Sequence, residues 1–152
     1  MYGNLLIFHS YYRWVVIVIL IILFLWILYH KRKKTVFQSN HYCFLLVLTF
    51  LIDIQWLLGW MLYSESPIVQ EFWKSVGVGI KDRQLRFFGL EHFTMMNLGV
   101  ILLNYYVARS KYHIHQSSGF TYLYKRLIWI YLIILTSIPW SFSPLTHRPN
   151  FR

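Results

Sequence analysis

The chain has 152 residues, of which 57% are hydrophobic, 20% aromatic and only 13% charged. An apolar fraction above the roughly 45–50% of soluble domains excludes a disordered chain and an ordinary cytosolic enzyme, and it predicts a membrane protein. The formal net charge of +10 comes from 15 Lys and Arg residues against 5 Asp and Glu residues. Much of this excess flanks apolar runs, as membrane topology requires, so we expect lipid and no nucleic acid as its partner.

Four apolar runs follow one another along the chain, and each meets or approaches the roughly 20 residues that a helix needs to cross a bilayer. The predicted spans are residues 5–29, 42–63, 87–107 and 122–142. The last span is the weakest, because Pro139 lies near its end. The fold class is therefore all-α: we expect residues 1–152 to form a single transmembrane domain, an integral membrane four-helix bundle in up-down-up-down order.

The connection between the second and third spans, from Ser64 to Arg86, is expected to contain structure of its own. Ser66 followed by Pro67 is typical of a helix start. Apolar residues then recur at helical spacing, namely Ile68, Val69, Phe72, Trp73 and Val76. We predict a short interfacial helix that lies over the outer mouth of the bundle.

Basic residues set the predicted orientation. They concentrate at residues 31–34, after the first span, and around the connection between the third and fourth spans, at Arg109, Lys111, Lys125 and Arg126. Cytoplasmic loops of membrane proteins are rich in Lys and Arg. These two connections should therefore face the cytoplasm, and both termini should lie on the outer side.

Polar residues inside the spans are the candidate functional residues, since an ionisable group in a membrane is costly and usually faces the bundle interior. Counting about 1.5 Å per residue from the outer helix ends places them in one outer layer. The layer contains His9, Arg13, Asp53, Gln55, Glu91, His92 and Met96. In a structural interpretation, Arg13, Asp53, Gln55 and Glu91 form a buried polar network that ties three helices together.

Asp53 and Gln55 are separated by about 200° around the second helix. They cannot both face the same bundle centre. One of them is therefore expected to face a neighbouring helix or another subunit.

His9 and His92 fall at matching depth on the first and third helices, which are diagonal neighbours in an up-down-up-down bundle. Two imidazoles placed across a bundle core are what a haem needs when its iron takes two axial ligands. The sequence thus predicts a haem in the outer half of the bundle, with His9 and His92 as the iron ligands. Its propionates suit bidentate arginine, so the candidates are Arg13, Arg86 and Arg148. Other candidate cofactor contacts are Trp56, Trp60 and Met96.

Several short motifs carry a resemblance to a known family. They are His9-Ser10 with Arg13-Trp14, Asp53-x-Gln55-x-Leu57-Leu58-Gly59, Arg86 with Glu91-His92-x-x-Met95-Met96, and Pro139-Trp140 with Arg148-Pro149. Over most of its length the chain resembles the small four-helix bacterial membrane proteins labelled cytochrome b. The resemblance implies a b-type haem protein of the bacterial inner membrane, with His9 and His92 as candidate ligands.

A haem protein of this kind is expected to transfer electrons as a subunit of a larger respiratory membrane complex. One outer-side haem cannot carry electrons across the full membrane, so quinol or other membrane subunits would exchange electrons with it. The sequence has no nucleotide-binding loop and no Ser-His-Asp spacing, which argues against an independent enzyme. Two alternatives remain open. One is a haem-free accessory or structural subunit; the other is a non-haem metal site of His9, His92, Glu91 and Asp53.

Overall fold

A computed structural model describes residues 1–141 of the chain. Within this range the structure consists of helices, turns and connecting segments, with no β-strand, which confirms the predicted all-α class. Phe142, at the end of the predicted fourth span, and Arg148, a predicted propionate partner, lie outside the described residues, as does Pro149 of the last motif.

The first two helices are the longest. They are α1 (Tyr2–Arg32) and α2 (Ser39–Glu65), which extend the predicted spans by two or three residues at each end. Both arise from apolar runs that contain no Pro and no clustered charge. Among the described helices, these two are long and apolar enough to cross a membrane.

A group of short helices follows α2 and packs over one end of the molecule. It comprises α3 (Pro67–Lys74), α4 (Val76–Gly79) and α5 (Arg83–Arg86). Pro67 occupies the start of α3, where its missing N–H has no intrahelical role. Phe72 of α3 is fully buried, and it packs against Gly79 and Gly89, where a larger residue would collide with its ring.

The second half of the chain contributes two further long helices. A π-helical turn (Phe87–Glu91) leads into α6 (His92–Ser110), and a 3-10 turn (Lys111–His113) leads toward α7 (Gly119–Ser137). Helix α7 ends before the predicted limit of residue 142. The physical reason is Pro139, which restricts the preceding Ile138 to an extended conformation, with φ −69° and ψ 134°.

The four long helices pack side by side, each against two others. Contacts join α1 with α2, α2 with α6, α6 with α7, and α7 with α1. Helices α1 and α2 run antiparallel, because Tyr12 donates to the Leu51 carbonyl at 3.0 Å, whereas His9, nearer the start of α1, contacts Gln55, further along α2. Helices α1 and α6 therefore lie diagonally opposite each other.

The two ends of this assembly differ in packing. At the end with the α1–α2 connection, Leu23, Leu45, Leu103, Phe37 and Phe120 are completely buried, and the two connections share main-chain hydrogen bonds such as Phe37 N–H to Gln116 O at 3.0 Å. The opposite end, which carries α3, contains a cavity instead. It is this end that holds His9 and His92.

Candidate functional site

The cavity has a volume of about 160 Å³, and all four long helices contribute to its walls. Its lining is mainly apolar, with Trp56, Trp60 and Met96 among the predicted contacts. Polar and ionisable side chains also line it, among them His9, Arg13, Gln55, His92 and Asn97. The structure therefore brings both predicted histidine ligands to one cavity.

His9 is held by Gln55 of α2. The Gln55 side-chain nitrogen lies 3.2 Å from Nε2 of His9 and donates to the His9 main-chain oxygen at 3.1 Å. Because that carbonyl needs a donor, we assign the amide nitrogen to this side and the imidazole proton to Nδ1. Among residues 1–141, Nδ1 of His9 and Oε1 of Gln55 are buried without a hydrogen-bond partner.

His92 is fixed by a carbonyl at the end of α7. Its Nδ1 lies 2.8 Å from the main-chain oxygen of Ser137. A carbonyl only accepts, so Nδ1 carries the proton and Nε2 keeps the lone pair. Metal-binding histidines commonly donate their other ring N–H to a backbone carbonyl in this way, which fixes both tautomer and ring orientation.

The π-helical turn before α6 positions His92. The Gly89 carbonyl in this turn accepts a hydrogen bond from Tyr63 at 2.8 Å, which ties the turn to the end of α2. Phe87 and Phe88 of the same turn place their rings 5.6 and 6.2 Å from the His92 ring. Single π turns inside α-helices frequently occur at functional sites.

Asn97 organises the tryptophan wall of the cavity, and sequence reasoning did not single it out. Its Oδ1 accepts hydrogen bonds from the indole nitrogens of Trp56 and Trp60, each at 3.0 Å. Its Nδ2 donates to the Phe93 carbonyl at 2.7 Å. An isolated Asn within an apolar span is the signal that points to such a role.

The predicted arginines occupy different places. Arg13 lines the cavity, with its guanidinium carbon 5.6 Å from the centre of the Trp14 ring. Arg86 instead donates to Glu91 at 2.7 Å and to the Ile80 carbonyl at 2.9 Å, and it is not among the lining residues. Arg86 therefore anchors the start of α6 in this structure.

The residues predicted to form one polar network make separate contacts. Gln55 contacts His9, Glu91 contacts Arg86, and Asp53 accepts a hydrogen bond from Asn104 of α6 at 2.7 Å. Asp53 lies in a groove of its own and not in the histidine cavity. Within the described part of the chain, no three His, Cys, Asp or Glu residues come together as a metal-binding group, so the non-haem set is not assembled here.

The donor set of the cavity matches that of a haem held by two imidazoles, but the volume of about 160 Å³ is that of a benzene-sized void, so the helices have to move apart to admit the macrocycle. Two imidazoles come from diagonally opposite helices, aromatic side chains provide flat apolar walls, and Arg13 supplies a cation for a carboxylate. His92 already has the tautomer that an iron ligand requires. For His9 to bind iron through Nε2, the Gln55 amide has to give up its contact with that atom.

No known protein family, no curated protein and no solved structure matches the chain. The resemblance to the proteins labelled cytochrome b stays a prediction from the motifs.

Proposed function

We propose that this chain is a four-span membrane protein that binds a b-type haem between His9 and His92 and takes part in electron transfer. The observation that carries the proposal is that these two histidines, on diagonally opposite helices, line one aromatic cavity. Haem supplies reversible one-electron chemistry when it is bound. The motif resemblance adds support for a bacterial inner-membrane protein.

The exposed surface supports the membrane location. All four long helices carry outward-facing apolar side chains, for example Val18 at 54%, Phe50 at 64%, Ile101 at 55% and Trp129 at 67% exposure. Contiguous apolar surface of this kind is rare on soluble monomers. The basic connections at residues 31–34 and 109–126 favour an orientation with both termini on the outer side.

In this proposal the residues of the cavity have distinct roles. His92 is preset as a ligand by Ser137, and His9 is the second ligand, released from Gln55. Arg13 is the candidate partner of a propionate, and the Trp56 and Trp60 walls exclude water. Electrons are exchanged with quinol or with other subunits of a larger respiratory complex, because the cavity lies in one half of the helices only.

The absorption spectrum of the protein purified from its native membrane tests this proposal. A Soret band with a sharp α band after reduction is the expected result. A protein without these bands but with bound metal would be a non-haem site, and one with neither would be an accessory subunit. Both results would overturn the haem proposal.

A second candidate, quinol-type ligand binding in the same cavity, is favoured by one observation. Nδ1 of His9 and Oε1 of Gln55 offer a buried donor and a buried acceptor without partners among residues 1–141. A quinol satisfies both atoms, because one ring hydroxyl oxygen accepts from Nδ1–H of His9 and a ring O–H donates to Oε1 of Gln55. Titration with a short-chain quinol analogue should then quench the Trp56 and Trp60 fluorescence, and Gln55→Leu should weaken the titration. An unchanged titration in this variant would count against it.

A further inference from the structure

Asp53 places a carboxyl group near the middle of α2, on a face that opens away from the histidine cavity. Its neighbours on this face are Phe50 and Leu57, three residues before and four after it, with 64% and 57% exposure. Asp53 itself is half-buried in a groove formed with Val100, Ile101 and Asn104 of α6. The carboxyl group thus lies within an outward apolar stripe.

The hydrogen bonds available in the groove satisfy only part of this carboxyl group. Within residues 1–141, Asp53 accepts one hydrogen bond, from Asn104 at 2.7 Å. The same Asn104 nitrogen also donates to the Val100 carbonyl at 3.1 Å, so its two protons are both used. An ionised carboxylate can accept about four hydrogen bonds.

The two helices that form the groove offer Asp53 no counter-charge at its level. Helix α2 contains no Lys or Arg, and the single Arg of α6, Arg109, lies in its last turn. At the middle of a span, ionisable side chains are expensive and almost always pair with another group. A cation for an ionised Asp53 therefore has to come from outside these two helices.

From this geometry we infer that the groove between Asp53 and Asn104 is a docking surface for a membrane-spanning helix of another protein, which brings a Lys or Arg side chain to Asp53. The inference rests on the proposed membrane-spanning arrangement. Charge complementarity selects the occupant. A second copy that docked through the same face would place carboxyl groups opposite carboxyl groups and supply no cation.

Site-specific photo-crosslinking in intact native membranes tests this inference on the full chain. Benzoylphenylalanine in place of Ile101 reports on the groove, and the same residue in place of Leu132, 48% exposed on α7, reports on another face. We expect the variant with benzoylphenylalanine at position 101 to crosslink to a transmembrane segment that contains Lys or Arg. The variant at position 132 should give little of this product.

Charge variants connect the product to Asp53. Asp53→Asn keeps the side-chain shape and an acceptor for Asn104, and it should lower the crosslink yield about tenfold or more, because a tenfold change corresponds to only about 1.4 kcal/mol. Glu65→Gln removes a carboxylate at the exposed end of α2 and is the matched control for Asp53→Asn. It should leave the crosslink yield unchanged. Asp53→Lys combined with Asp at the partner's basic position should restore it.

Four results would overturn the inference. They are crosslinks to a second copy of this chain, crosslinks to lipid alone, a partner segment without a basic residue, and an unchanged yield with Asp53→Asn. The haem spectrum of the same samples separates the two proposals. If the parent protein contains no haem but still gives the charge-dependent crosslink, only the haem proposal is contradicted. If alkaline carbonate extracts the chain from membranes, the spanning arrangement is contradicted.

Discussion

Gln55 holds His9 at two points, with its side-chain nitrogen 3.2 Å from the imidazole Nε2 and 3.1 Å from the main-chain oxygen. This contact links α1 to α2 beside the cavity. It also occupies the ring nitrogen that an iron would use. Gln55 is therefore a stabilising residue of the ligand-free protein and a competitor of the proposed haem.

Gln55→Leu is expected to change stability and haem affinity in opposite directions. Loss of the two contacts should lower the unfolding free energy by about 1 kcal/mol, whereas release of His9 Nε2 should raise haem affinity. Thermal unfolding in detergent and haem titration measure the two effects. Gln70→Leu, on the exposed face of α3, is the control and should change neither. A weaker haem titration in Gln55→Leu would show that Gln55 supports the ligand.

Asn97→Leu should destabilise the protein and loosen the tryptophan wall. The change leaves the indole N–H groups of Trp56 and Trp60 without their acceptor, at a cost of about 1–3 kcal/mol. The expected result is a lower unfolding temperature and an altered tryptophan emission maximum. Asn4→Leu, at an exposed position of α1, should leave both unchanged. Equal stability of Asn97→Leu and the parent would contradict the role given to Asn97.

Gly59 leaves room beside His9 that a small side chain can share. A Cβ atom at this position would lie 3.5 Å from Cε1 of His9, which is ordinary contact. Gly59→Ala should therefore keep the parent's haem content, whereas Gly59→Leu should displace the imidazole and reduce it strongly. Haem content per protein, measured on purified variants, tests the pair. Full haem content in Gly59→Leu would mean that His9 does not face the ligand.

The sequence predicted the long helices well where apolar runs are uninterrupted. It predicted them less well where main-chain conformation determines where a helix begins or ends. Composition alone gives the extents of α1 and α2 to within two or three residues at each end. The π-helical turn before His92 depends on contacts such as Tyr63 to Gly89, which are far apart in sequence. The end of α7 depends on Pro139, whose position near the end of the predicted span was evident, although the stop at Ser137 was not anticipated.

The candidate site shows the same division. Helical spacing placed His9, Arg13, His92 and Met96 on inward faces, and all four line the cavity. It also gave Asp53 and Gln55 different neighbours. Helical spacing could not assign hydrogen-bond partners. Arg86 donates to Glu91 and does not line the cavity, and Asn97 was given no role. Partner choice depends on distances between helices, which periodicity within one helix does not contain.

Cysteine labelling of intact cells tests the proposed orientation. In a Cys43→Ser background, a Ser75→Cys variant should react with an impermeant thiol reagent, and a Ser118→Cys variant should be shielded until the cells are opened. The reason is that Ser118 lies in the basic connection before α7, whereas Ser75 follows α3 at the opposite end. The reverse labelling pattern would move the histidine cavity to the cytoplasmic side.

The most direct test of the haem proposal is the reduced-minus-oxidised spectrum of His9→Ala, His92→Ala and His113→Ala. His113 stacks on Tyr122 outside the cavity, so its variant is the matched control and should keep the parent spectrum. Each of the other two variants should lose the low-spin bands, because an iron with one axial ligand becomes high-spin or the haem is lost. Parent-like low-spin spectra from both His9→Ala and His92→Ala would contradict the assignment of these residues as the haem ligands.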